Sequence, residues 1–401
     1  MNPERIKTKR LSDNCTKIGS GFTPRGGDSV YQSEGTSLIR SQNVYNGYFT
    51  RSGLAHISDE IAEEMSGVTI ESGDILLNIT GDSVARCCIV PEEILPARVN
   101  QHVAIIRSIS ESINKKYLMY FLISPYMQTY MLSIAGSGGT RKALTKIMIE
   151  DFNIPTPKIE VQQKIASILS AYDDLIENNL RRIELLEQSA RHLYEEWFVR
   201  FRFPGYEHTK MKNEIPEGWE KKELIDIVNL TMGQSPASSF YNDSGEGLPF
   251  HQGVTNYGTR YVDNKQFCTF LEGRIALEND ILFSVRAPVG RINITLDKII
   301  IGRGLCSMRS RNGNQSFLFY QLKNAFFKED MIGSGSIYAS VTKDQLQKYE
   351  LLQPCNKNIS LFEEIVKPID DQLSILIRQN QKLKQARDLL LPKLMNGDIA
   401  V

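Results

Sequence analysis

No Pro-Pro dipeptide occurs in the chain, although it has 15 prolines. This absence removes the Asn/Asp-Pro-Pro-aromatic loop with which amino-methyltransferases hold a target amine. G-x-x-x-x-G-K-[ST], a G-x-G-x-x-G between strand and helix, and G-x-S-x-G are missing too. "GSGGTRK" at 136–142 has glycines and a lysine at the wrong spacing for a phosphate loop, and its echo "GSGSIYAS" at 333–340 has no lysine. No Pro-Asp opens a common nuclease carboxylate set. The six cysteines form no Cys-x-x-Cys, and the five histidines show no zinc-ligand spacing. These gaps predict a chain with no catalytic centre, no metal and no cofactor of its own.

Net charge is also missing, with 47 basic against 47 acidic side chains. That argues against coating nucleic acid through a global positive field, but leaves local basic surfaces open. Long apolar runs are few. The most apolar window, "YLMYFLISPYMQTYMLSIAG", is broken by Pro125 and Gln128, so it reads as a buried helix pair and not as a membrane span. The basic "MNPERIKTKR" precedes no apolar stretch, so no secretory leader is expected and a cytoplasmic location is.

What is present is repetition. "IKTKRLSD" at 6–13 matches "WEKKELID" at 219–226, and "GFTP" at 21–24 matches "GQSP" at 233–236. "SGDILLNITGDSVAR" at 72–86 answers "ENDILFSVRAPVGR" at 278–291; "NQHVAIIRS" at 100–108 answers "GRGLCSMRS" at 302–310. "YLMY" and "FLFY" follow, then the glycine phrases, each closing on Thr-Lys, at Thr145-Lys146 and Thr342-Lys343. The offset drifts from 213 to 197, as loop insertions and deletions would produce, and the period is too long for a solenoid. Each copy predicts short apolar strands with polar turns, a helical patch, a further strand ending in proline, and a long helix. The expected class is α/β (α+β): two similar globular domains separated by two long antiparallel coiled-coil helices, related by an internal pseudo-twofold repeat. The expected boundaries are domain 1 at 1–157, a long helix at 158–200, a linker at 201–218, domain 2 at 219–356 and a second long helix at 357–401.

Three- and four-residue spacing predicts the helix–helix seam. On the first helix, placed at 159–198, it runs through Ile165, Ile168, Tyr172, Leu175, Asn179, Ile183, Leu186, Ala190, Leu193 and Trp197, with a stutter at 179–183. On the second, placed at 361–391, it takes Phe362, Val366, Ile369, Leu373, Leu376, Asn380, Leu383, Arg387 and Leu390, with Pro368 starting or kinking the helix and Pro392 ending it. Each seam has one asparagine near its middle, and the two are expected to meet and fix register. A helix of some forty residues is about 60 Å long, which suits a ruler. Asp173-Asp174 and Asp370-Asp371 recur on these helices and are read as structural.

The turns carry the chemistry. Copy two has Arg286, Arg291, Lys298, Arg303, Arg309 and Arg311 between 286 and 311, and copy one has Arg86, Arg98 and Arg107 in the matching stretch. Arg, Asn and Gln suit base edges, whereas Lys, Ser and backbone amides suit phosphate. Framework phrases match between the copies, but loop chemistry does not. Two related domains reading different sequences would look like this. Candidate DNA-contacting residues are Arg25, Arg40, Gln42, Asn43, Asn100, Gln101, Arg141 and Lys142 in the first domain. In the second they are Gln234, Gln252, Asn256, Arg286, Arg291, Arg303, Tyr338 and Lys343.

The duplicated plan, "GFTP" and "GQSP", the "IPTP" strand end, "VQQKIASILSAYDDLIENNLRRIELLEQSARHLYEEWF", "FRFPGYE" with "IPEGWEKKEL", and "LKQARDLLLPKLMNGDI" together resemble the DNA-specificity subunits of type I restriction–modification systems. "CNKNISLFEEI" departs from that family's usual Pro-Pro-x-x-Glu-Gln stretch. The resemblance implies a non-catalytic subunit whose domains each read half of a bipartite site in double-stranded DNA, with the helix pair setting the spacing. It implies two methyltransferase subunits and motor-nuclease subunits as partners, no membrane, and S-adenosylmethionine, ATP and Mg held by those partners. A coiled-coil scaffold without DNA reading, and an enzyme with a cryptic site, are the alternatives.

Overall fold

The computed structural model describes residues 7–136, 142–326 and 340–401. It divides into two units, Met1–Asn178 with Asn380–Val401, and Asn179–Gln379.

In the first unit an antiparallel sheet runs in the order Cys15–Ser20, Val103–Ser108, Ile75–Asn78, Cys87–Ile89. Successive side chains of a strand point to opposite faces, and here both faces are covered. Ile75, Leu77, Ala104 and Ile106 join a core with the helices Lys115–Ile123 and Pro125–Ala135. Leu76, Val103 and Ile105 pack instead on a second sheet, Ala55–Ile57, Thr36–Ile39, Ala97–Val99, whose last two strands are parallel. Two covered faces explain why "DILLNIT" and "HVAIIRS" read as near-continuous apolar runs. Asn114 and Ser124 cap the two helices, and Pro125 occupies the first helical position of the second.

The second unit repeats this plan. Its sheet order is Val228–Met232, Leu305–Ser310, Ile281–Ser284, Ile292–Ile294, and Leu248–His251 lies parallel to Ile299–Ile301 in the accompanying sheet. The strand Thr8–Arg10 pairs with Asn153–Pro155 in the first unit as Glu220–Glu223 pairs with Glu350–Gln353 in the second. The Thr-Lys echo has a local cause: Thr145 and Thr342 each cap a five-residue helix, Lys146–Glu150 and Lys343–Gln347. Phe201 and Phe203, in the expected linker, pack against Trp219 at ring separations of 5.3 and 5.4 Å.

The long helices are Ile159–Tyr194, which ends in a π turn at Glu195–Val199, and Asn356–Met395. The second starts earlier than spacing predicted and passes through both Pro368 and Pro392. A proline removes one donor and crowds the preceding turn. Buried neighbours hold the helix across each: Val366 and Leu373 about Pro368, Leu391 and Leu394 about Pro392.

The two helices run antiparallel within each unit. In the first, Arg387 Nη1 donates to Asp173 Oδ1 at 2.6 Å and Asn380 Nδ2 to the Ile176 carbonyl at 3.4 Å. In the second, Asn179 Nδ2 donates to Gln379 Oε1 at 3.3 Å. Both asparagines are buried, and each reaches a group on the facing helix. On the second helix Leu373, Leu376 and Asn380 are buried and Ile369, Leu383 and Leu390 half-buried. On the first, two expected seam residues are misplaced: Ile168 is 37% and Leu175 52% exposed. The covered positions are Ile165, Leu169, Tyr172, Ile176, Asn179, Ile183, Leu186 and Ala190, alternating four and three without a stutter. Leu-Ile at 175–176 offers two apolar neighbours, and spacing alone selected the wrong one.

The first aspartate of each pair, Asp173 and Asp370, is structural. Tyr120 Oη donates to Asp173 Oδ2 at 2.5 Å, and at the matching place Tyr320 Oη lies 3.4 Å from Asp370 Oδ1. Each aspartate also binds an arginine, but from different origins: Arg387 for Asp173, and the fully buried Arg260 for Asp370 at 2.6 Å. Burial pushes the Asp370 carboxyl up, while Arg260 opposes that shift.

Candidate nucleic-acid interface

Register brings the polar turns of each unit to one edge. In the first unit Ala104 pairs with Ser20 and Val103 with Asn78, so the turns after Ser20 and Asn78 and the turn before Val103 are neighbours. Backbone bonds tie them together: Gly21 N to Asn100 O at 3.2 Å, Asn100 N to Ile39 O at 3.1 Å, and Ile79 N to His102 O at 3.0 Å. Gly81 N donates to the Lys142 carbonyl at 3.0 Å, adding the end of the glycine phrase. In the second unit Gly302 N bonds His251 O at 2.8 Å, Gly304 N bonds Gln252 O at 3.1 Å, and Val341 N bonds Val285 O at 2.9 Å.

"GFTP" and "GQSP" recur because this edge needs them. A Cβ on Gly21 would overlap the Val99 carbonyl, and one on Gly233 the Gly302 carbonyl. The third residue of each phrase then secures the turn it approaches: Thr23 Oγ1 donates to Gln101 Oε1, and Ser235 Oγ accepts from Arg303 N at 3.1 Å.

On the first edge Arg25, Gln42, Gln101 and Lys142 are exposed. Arg40 is half-buried, lies over the Tyr31 ring at 5.1 Å and donates to the Gly53 carbonyl at 2.6 Å. On the second edge Gln234, Gln252, Arg286, Arg303 and Lys343 are exposed, with Asn256 and Arg291 half-buried. Gln252, Arg286 and Arg303 line one concavity with Ser284 and Gly304. Arg141 and Tyr338 fall outside the described residues.

Two candidates are corrected by burial. Asn43 is fully buried; its Oδ1 accepts from Arg40 N at 3.0 Å and its Nδ2 donates to the Thr50 carbonyl at 3.0 Å. Asn100 is 7% exposed and its Oδ1 accepts from His102 N at 3.1 Å. Both shape the edge and neither is presented on it. The basic run of copy two also divides. Arg303 precedes the strand Leu305–Ser310, but Arg309 lies near its far end, bonded to Asp280 Oδ1 at 2.6 Å. Arg311 donates to the Val228 carbonyl at 3.1 Å, and in copy one Arg98 is buried on the Ala62 carbonyl at 2.9 Å. A linear charge count therefore overstates the surface.

Sequence reasoning missed Tyr45 and Tyr48, whose rings stack at 4.9 Å and 10°, with the Arg86 guanidinium 4.8 Å from the Tyr45 centroid. The phrase "YNGY" signalled only a turn.

The model of the type I restriction–modification DNA specificity domain matches this chain twice, at residues 3–188 and 216–385. The chain belongs to this family. It is 28% identical over 412 residues to a Methanocaldococcus jannaschii protein named as the MjaX specificity subunit of a type I restriction enzyme, covering 100% of this chain and 95% of that one. The HindI specificity subunit of Haemophilus influenzae is 23% identical, with 90% and 94% covered. The crystal structure of a type I restriction–modification S subunit from M. genitalium shares the fold, with a TM-score of 0.62 at 16% identity and coverage of 98% and 97%. Membership in the DNA-specificity family makes this chain a sequence-specific DNA-recognition component of a restriction–modification system. Among the described residues no helix is long and apolar enough to cross a membrane.

Proposed function

We propose that the chain is a non-catalytic reader whose two domains each recognise one half of a bipartite site in double-stranded DNA. The observation that carries this reading is the repeated edge. Both units build it from the same backbone framework and fill it with different side chains. The candidate contacts are Arg25, Arg40, Gln42, Gln101 and Lys142 on one edge, and Gln234, Gln252, Asn256, Arg286, Arg291, Arg303 and Lys343 on the other. Arg and Gln would read base edges, while Lys and backbone amides would hold phosphate.

The long helices set the spacing of the half-sites and dock two methyltransferase subunits, with motor-nuclease subunits completing a cytoplasmic complex. Exposed apolar residues on their outer faces, among them Ile168, Leu175, Leu180 and Ile375, support a docking role. S-adenosylmethionine, ATP and Mg belong to those partners, and this chain holds none of them.

The test is a methylation map of DNA from cells expressing the chain with its methyltransferase partner. A bipartite motif that changes in one half when residues 1–155 are exchanged supports the two-reader model. An unmodified genome with demonstrably active partners overturns it in favour of a scaffold.

A further inference from the structure

Tyr48 is 58% exposed, yet its backbone is held firmly. It sits in a hairpin in which Tyr45 pairs with Tyr48 across Asn46-Gly47, with Gly47 at φ +80°. Gly47 N donates to Cys87 O at 2.9 Å, Cys87 N donates to Asn46 Oδ1 at 3.0 Å, and Asn46 Nδ2 donates to Gln128 Oε1 at 3.1 Å. One face of the Tyr48 ring stacks on Tyr45, and the clamped hairpin holds the rest of the ring out in water, where it is placed to meet a ligand.

The matching hairpin of the second unit gives the contrast. Thr50 N bonds Asn43 O as Asp263 N bonds Asn256 O, so Tyr48 corresponds to Tyr261 and Tyr45 to Gly258. Tyr261 is only 7% exposed, and a glycine replaces its stacking partner. The aromatic tile is therefore a property of the first domain and not of the shared framework.

Beside the tile, Gln42, Tyr45, Tyr48, Thr50, Ser52 and Gly53 line one open concavity. Gln42 Nε2 donates to the Gly53 carbonyl at 2.9 Å, which fixes which end of the amide is nitrogen. An amide has two N–H donors and one carbonyl acceptor, so one N–H and Oε1 remain for a ligand. Adenine offers N7 as acceptor and N6–H₂ as donor in the major groove, which this remaining pair matches bidentately. Guanine offers two acceptors, one of which would face Oε1. The thymine of the same pair presents a methyl group, for which a ring is the apolar partner.

We propose that Gln42 and Tyr48 together read one A·T pair of the first half-site through the major groove, Gln42 on adenine and Tyr48 on the thymine methyl. This rests on the DNA-reading function proposed above.

The experiment uses the chain assembled with its methyltransferase partner and compares methylation maps of wild type, Gln42→Ala, Tyr48→Ala and Tyr48→Phe. Both alanine variants should relax the same single A·T position by about tenfold to a hundredfold and leave the second half-site intact. Tyr48→Phe should keep the motif. Binding to a duplex with deoxyuridine at that position should weaken for wild type but not weaken further for Tyr48→Ala. An unchanged motif, relaxation at a G·C position, or a uniform loss of affinity across sequences would each overturn the proposal. A wild-type map with no bipartite motif would instead overturn the underlying reading, and this inference with it. The melt of Gln42→Ala should match wild type, since Gln42 is exposed, and Tyr48→Ala should remain folded and lose no more than its stack on Tyr45.

Discussion

Arg107 grips Asp74 with two hydrogen bonds, Nε to Oδ1 and Nη2 to Oδ2, both at 2.8 Å. Asp74 also accepts from Glu71 N at 2.8 Å, so one carboxylate closes its own turn and joins two strands. Arg309 and Asp280 echo the arrangement in the second unit with a single bond, Nε to Oδ1 at 2.6 Å, while Arg309 Nη2 donates to the Glu278 carbonyl and Leu277 N takes the place of Glu71 N. The pair sits away from the proposed DNA edge, and it makes a clean test of scaffold against reader.

The Asp74 side chain is 1% exposed and that of Arg107 21%. Arg107→Ala should cost about 3–5 kcal/mol by stranding a buried charge. Arg309 is 41% exposed, so Arg309→Ala should cost less. Urea melts check both, and the methylation motif should not change. A loss below about 1 kcal/mol for Arg107→Ala would class the pair with surface ion pairs.

Asn43 and Gln42 are adjacent but should behave in opposite ways. Asn43→Ala leaves the Arg40 amide and the Thr50 carbonyl without partners, at about 1–3 kcal/mol. Gln42→Ala should stay within about 0.5 kcal/mol of wild type and act on the motif instead. Paired thermal melts and methylation maps separate the two effects.

Leu175 faces solvent on the first long helix, whereas Ile176 is buried. Leu175→Glu should leave the melting of the isolated chain unchanged and weaken co-purification of the methyltransferase subunit. Ile176→Glu should destabilise the chain itself. If Leu175→Glu retained full partner binding, that face would not be a docking surface.

Asn179 and Asn380 each place a buried amide in a seam whose other buried positions are mostly apolar. Such groups fix register at some cost in stability. Asn179→Leu should raise the thermal midpoint and broaden the distribution of assembled species in native mass spectrometry. An unchanged midpoint with unchanged assembly would remove the register role.

His251 is buried, and burial holds its imidazole below the ordinary value of 6.5, with Asn264 and Asp263 opposing. Its ring bonds Asn264 Oδ1 at 2.9 Å. A depressed folded value means that the unfolded chain binds the proton more tightly. The contribution is therefore complete above pH 6.5 and is lost as pH falls through the lower folded value. Thermal melts from pH 7.5 to pH 5 should fall more steeply for wild type than for His251→Gln.

The duplication was legible in the sequence because it rests on residues with local or framework duties. Gly21 and Gly233 avoid a backbone carbonyl, Thr145 and Thr342 cap a helix, and Asp74 and Asp280 close a turn and bind an arginine. Such duties tolerate few residue types, so the phrases persist in both copies. Spacing also found the buried Leu373, Leu376 and Asn380 of the second long helix, although Ile375 and Ile377 flank Leu376. On the first helix, Leu175 beside Ile176 left the choice of face to packing.

The sequence by itself determined two copies of a mixed α/β plan, two long helices, and polar turns rich in Arg, Asn and Gln. Tertiary structure decided which of those polar groups meet solvent. Asn43, Asn100, Arg98 and Arg309 are spent on the protein's own backbone and carboxylates, while Tyr48, unmarked in the sequence, stands out on a clamped hairpin. The physical reason is that a polar side chain buried in folding must find its partner inside the molecule. Only the three-dimensional register of the strands says which side chains are buried and which are left for DNA.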